Sequence, residues 1–154
     1  MLKNNNILII AALLVMFVIT GCDGGKDNSK GKSTVLSVKS TGSQKVDSLI
    51  AVLKTSMEDY MNDKDPSYSQ NDIDQCIALL TDYTIKILST GSKKEAMEIV
   101  KSTVLKLNEL NKKCDFFLIE TNEREQIVEI IILASSEMGY NTVDEDITEE
   151  WREW

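Results

Sequence analysis

The sequence predicts an all-α domain, a four-helix up-and-down-like bundle with a short C-terminal helical turn. Three observations predict it. From Ser43 onward, apolar residues recur with the 3.6-residue period of a half-buried helix in four separate runs. Helix start and stop signals bound each run. The connections between runs are short, which favours antiparallel neighbours. With 154 residues, 42% of them hydrophobic, the chain has material for one domain and its core.

The first helix carries Val46, Leu49, Ile50, Leu53, Met57, Tyr60 and Met61 on one face. It should stop near Asn62 to Asp65, because Pro66 disfavours helix in the residue before it. A second helix should start near Ser69 to Asn71, with Ile73, Ile77, Leu80, Thr84 and Ile87 as its stripe. Thr90-Gly91 should end it, glycine being the usual left-handed cap. Ser92-Lys93-Lys94-Glu95 reads as a capping box opening a third helix, with Ala96, Ile99, Val100, Thr103, Val104, Leu107 and Leu110 inward. The apolar run Phe116 to Ile119 fits a short strand or a buried connector, and periodicity does not choose between them. Thr121 or Asn122 should cap a fourth helix, apolar nearly all round from Ile127 to Ala134 and therefore expected at the centre of the bundle. Gly139 should end that helix. Thr148-Glu149-Glu150-Trp151 then begins a short helical turn, which would put Trp151 and Trp154 on one face.

The N-terminus has a different character. A short polar start bearing Lys3 leads into an unbroken apolar run, Ile7 to Ile19, of 13 residues. As a helix this reaches about 20 Å, short of a hydrocarbon core of about 30 Å but right for a secretory signal. Ile19-Thr20-Gly21-Cys22 follows, and it resembles the lipobox of bacterial lipoproteins. The resemblance implies that the Cys22 thiol takes a diacylglycerol, that cleavage falls before Cys22, and that the new amino terminus is acylated. Such chains hold a protein on a bilayer at roughly 0.8 kcal/mol per buried methylene. The expected organisation is a signal peptide over 1–21, lipidated Cys22 and a flexible linker over 22–42, and a helical domain over 43–154. The expected location is the bacterial cell envelope, with inner or outer membrane left open. Within the linker, Gly25 to Ser33 has the look of a phosphate loop, but Lys26 stands where the motif needs glycine and no strand precedes it.

Composition excludes several chemistries. Histidine is absent, which removes Ser-His and Cys-His catalysis and His-bearing zinc sites. Against 25 Asp+Glu stand 17 Lys+Arg, a formal charge of −8, which argues against a nucleic-acid partner. Cys76 and Cys114 remain once Cys22 is lipidated. They are either a disulfide, worth roughly 4 kcal/mol in the chain-entropy view, or two separately buried thiols. Asp63, Asp65, Ser67, Asn71 and Asp74 fall at calcium-loop positions. Tyr68 replaces the loop glycine and Asp74 the longer glutamate, so an ordinary helix connection is the plainer reading. No cofactor is expected.

The negative charge is concentrated late in the chain. Residues 114–154 carry 2 basic and 12 acidic side chains, a balance of −10, whereas residues 46–113 carry 9 and 11, a balance of −2. Asp144, Glu145, Asp146, Glu149 and Glu150 beside Trp151 and Trp154 are the candidate partner-binding residues, since tryptophan is enriched where binding energy concentrates. The stretch Glu120 to Arg124, taken with Asp146 to Trp154, resembles the end of a small bacterial helical domain of unknown function. That resemblance brings no activity to carry over.

These readings converge on a membrane-anchored, non-enzymatic lipoprotein whose acidic domain binds another protein, with a basic face expected on that partner. An immunity-type inhibitor of a toxin is the concrete version. The alternatives are a cell-envelope hydrolase using paired carboxylates, which needs only two placed Asp or Glu, and a calcium-responsive module. A labelled fatty acid fed to growing cells should enter the native protein and not a Cys22→Ser variant. An unlabelled native protein would remove the anchor.

Overall fold

The computed structural model describes residues 39–154, so the lipobox, Cys22 and the linker up to residue 38 lie outside the described residues. Four helices follow in order: α1 (Gln44–Lys64), α2 (Gln70–Ile87), α3 (Lys93–Lys113) and α4 (Thr121–Glu137). The described residues contain no strand. The all-α, four-helix expectation holds.

The helix ends follow local chemistry. Ser43 caps α1, its hydroxyl accepting from the Val46 N–H at 3.3 Å. Asp65, left-handed at φ 48°, ends α1 just before Pro66. Ser69 opens α2 in a capping box with Asp72, whose carboxylate accepts from the Ser69 N–H at 3.0 Å. Ser92 opens α3 by accepting from the Glu95 N–H at 3.3 Å. Gly139, at φ 72°, closes α4 in a Schellman motif: its N–H reaches Ser136 O at 2.9 Å and that of Tyr140 reaches Ser135 O at 3.2 Å.

Several ends differ from the sequence expectation. Glu120, one residue before Thr121, is the N-cap of α4, and its N–H donates to Glu123 at 3.2 Å. Helix N-termini favour negative charge, so the Glu120 and Glu123 carboxylates complement this end of α4. α2 ends at Ile87, three residues early, and Gly91 has no positive φ. The Thr90 hydroxyl, donating to Ile87 O at 3.0 Å, satisfies one of the terminal carbonyls instead. Phe116 to Ile119 forms a connector in which only Leu118 and Ile119 are buried. Ser40 to Gly42, assigned to the linker, are docked. The Thr41 N–H and Ser40 hydroxyl donate to Asp47 at 2.9 and 2.8 Å, and the Ser43 hydroxyl donates to Glu137 at 2.9 Å. Gly42 makes this approach at φ 104°, which a side chain disfavours.

α2 is the central helix. It packs against α1, α3 and α4, while α3 and α4 do not pack closely on each other. The expectation that α4 is central is therefore corrected: α4 packs on α1 and α2, and Val128, Ile132 and Leu133 are only half-buried. Ile50, Leu53, Ile73, Leu80, Leu107, Ile127 and Ile131 are among the fully buried side chains, each worth roughly 1.5–3 kcal/mol of burial. The buried Tyr83 hydroxyl donates to Ile131 O at 2.8 Å, so the one polar atom that α2 sends toward α4 is satisfied.

The antiparallel α2–α3 pair is fastened at one end by an ion pair. Asp72 in the first turn of α2 meets Lys113, the last residue of α3, at 2.8 Å. Each charge also complements its own helix dipole. The hydrogen bond from Lys113, then that from Ser69, holds the Asp72 carboxyl at about 2 rather than the ordinary 3.8. A lowered folded pKa gives stability that is full above the unfolded value and lost as pH falls. Asp72→Asn should therefore lower the melting temperature at neutral pH and flatten its acid decline between about pH 4 and about pH 2. Melting curves across that range check it.

Candidate functional site

The C-terminal segment is built into the domain. Ile147 and Thr148 are buried, and Trp151 and Trp154 pack half-buried against the core. Asp146 starts the last turn, accepting from the Thr148 N–H and hydroxyl at 2.9 and 2.6 Å and from Arg152 at 2.9 Å. Burial opposes the Asp146 charge, but these donors outweigh it and hold the carboxyl below its ordinary value. The N–H groups of Trp151 and Arg152 both reach Thr148 O at 3.1 Å, which completes the expected helical turn. Asn108 of α3 then clasps the segment: its side-chain N–H donates to Trp151 O at 2.8 Å, and its carbonyl accepts from the Glu153 N–H at 3.3 Å. The Lys101 ammonium lies 5.9 Å from the Trp151 ring centroid.

Trp154 reaches the first turn of α4, where it forms one wall of a cleft of about 480 Å³. Tyr60 from the last turn of α1, Tyr68 from the α1–α2 connection and Phe117 from the α3–α4 connector supply the other aromatic surfaces. Glu120, Glu123 and Arg124 supply the charge. The four aromatic residues come from four separate parts of the chain, brought to one end of the bundle by the antiparallel connections. Tyr68 is buried, and burial pushes its phenol up to about 12, with Glu123, Tyr60 and Glu120 adding to the effect. The Trp154 Nε1–H is shielded from solvent and has no hydrogen-bond partner among the described residues.

The neighbouring connector is strained. Asp115 and Phe116 are both left-handed, at φ 52° and 64°, and both satisfy carbonyls at the end of α3. A bulky residue in this region costs about 1–2 kcal/mol. Phe116 and Phe117 are nevertheless 56% and 51% exposed, so burial does not offset the cost.

The structure sorts the sequence candidates. Trp151 and Trp154 do not present one free indole face; only Trp154 lines the cleft. Asp146, itself exposed, is engaged by Thr148 and Arg152, and Asp144, Glu145, Glu149 and Glu150 are exposed as well. The calcium loop is not assembled, and among the described residues no group of three or more acidic or cysteine side chains is placed to hold a metal. Asp74 lies inside α2 and pairs with Lys54 at 2.6 Å, Asp63 pairs with Lys64 at 2.9 Å, and the Ser67 hydroxyl donates to Cys114 O at 3.2 Å. Asp65 is the α1 cap and Asn71 an exposed first-turn residue of α2. Cys76 and Cys114 are free and buried, and burial raises the Cys76 thiol to about 12.

Tyr60, Tyr68, Phe117, Glu120 and Glu123 were not singled out from the sequence. Tyr60 was placed inward, yet it is 41% exposed at the rim of the stripe. The usable signal was positional. Tyr60 ends one helix, Tyr68 precedes the next and Phe117 follows the third, and an up-and-down chain gathers those ends together. No protein-family model, curated protein or solved structure matches the chain.

Asn108→Ala should cost about 1–3 kcal/mol, because it removes two hydrogen bonds to part-buried backbone groups of the segment. Denaturant unfolding measures the loss, and a red shift of tryptophan emission should accompany it as both indoles gain water.

Proposed function

We propose that this chain is a membrane-anchored lipoprotein whose helical domain binds a basic partner protein, in the manner of an immunity-type inhibitor, with no catalysis of its own. One observation carries the reading: Asp144, Glu145, Glu149 and Glu150 are exposed on a segment that Asn108 and Asp146 hold in place. Charges fixed before the encounter lose little freedom on binding and steer an oppositely charged surface. The anchor rests on the lipobox at Ile19 to Cys22. No helix among the described residues is long and apolar enough to cross a membrane. The described chain enters the domain beside the N-terminus of α1, at the end of the bundle away from the cleft.

Co-purification with the products of neighbouring reading frames tests this. The expected result is a complex whose affinity falls about tenfold or more between low and high salt, chiefly through slower association. Absence of any such complex would overturn the reading.

A further inference from the structure

We propose that the cleft at the first turn of α4 is the recognition pocket for a lysine or arginine side chain of the partner, a deeper statement that rests on the protein-binding reading. Its volume, about 480 Å³, lies in the range of pockets that enclose a small group rather than a flat contact. Tyr60, Tyr68, Phe117 and Trp154 surround the space, and aromatic faces attract an ammonium or guanidinium that gives up water. Glu120 and Glu123 place two carboxylates on the same space against Arg124, while Arg152, 5.6 Å from the Trp154 ring centroid, is already paired with Asp146. That balance selects a cation over an anion. The occupant is a side chain of the partner protein, which carries its ammonium or guanidinium on an apolar stem that the aromatic walls cover.

The test uses the full-length chain in detergent micelles and follows the indole N–H resonance of Trp154, assigned with a Trp151→Phe variant. The probes are acetyl-Gly-Lys-Gly-amide, the same peptide with norleucine for lysine, and tetramethylammonium chloride. The lysine peptide should shift the resonance in a saturable way, and the norleucine peptide should need about tenfold more for the same shift. Glu123→Gln, which keeps the capping contact while removing the charge, and Tyr60→Leu at an exposed position should each weaken the lysine peptide about fivefold or more. Circular dichroism checks that both variants fold. Glu98→Gln, on the exposed face of α3 outside the cleft, should change nothing. An equal response to norleucine, or indifference to Glu123→Gln and Tyr60→Leu, overturns the pocket. A response to tetramethylammonium matching that of lysine overturns the peptide source. The two proposals fail separately. A partner whose affinity ignores Glu123→Gln and Tyr60→Leu but drops with Glu149→Gln ends the pocket and keeps the binder. Lysine-peptide binding without any partner complex does the reverse.

Discussion

The side-chain amide of Asn108 is the contact on which the rest of the arrangement depends. α3 and α4 are not closely packed, so the bundle does not close on its own helices. The C-terminal segment runs from α3 to the first turn of α4, and Asn108 holds it by both its donor and its acceptor. Without that clasp the segment loses its hydrogen-bonded registration on α3, and the two indoles gain water. The position of Trp154, and with it the cleft, follows from this one side chain.

A second constraint sets the opposite wall. The α3–α4 connector turns through two successive left-handed residues, Asp115 and Phe116, where glycine is the usual occupant. That turn satisfies the last carbonyls of α3 and carries the chain to Phe117 at the cleft and to the buried Leu118 and Ile119. Asn111 secures the far side, its side-chain carbonyl accepting from the Ile119 N–H at 2.9 Å. Two buried asparagines one turn apart on α3 therefore govern the two segments that frame the site.

How much of this was legible in the sequence follows the range of the interactions. The helices were legible because each is specified locally: a 3.6-residue stripe, Ser43, Ser69 and Ser92 as caps, Pro66 and Gly139 as stops. Glu120 as a cap was overlooked because Thr121 and Asn122 beside it have the higher ordinary preference. The central place of α2 was missed because apolar content alone favours α4, while the choice was made by which faces meet. The acidic residues were found as a group, but the engagement of Asp146 by Thr148 and Arg152 needed the fold. The cleft was illegible as a unit, since its residues come from positions 60, 68, 117, 120–124 and 154 and share no local pattern.

The docking of Ser40 to Ser43 has a mechanical consequence. Tension applied to the chain ahead of Lys39 falls first on the contacts with Asp47 in α1 and Glu137 in α4, before any core side chain is loaded. A pull from that direction is thus shared between the first and last helices instead of peeling one away. The chain ahead of the bundle thus joins it where a load divides.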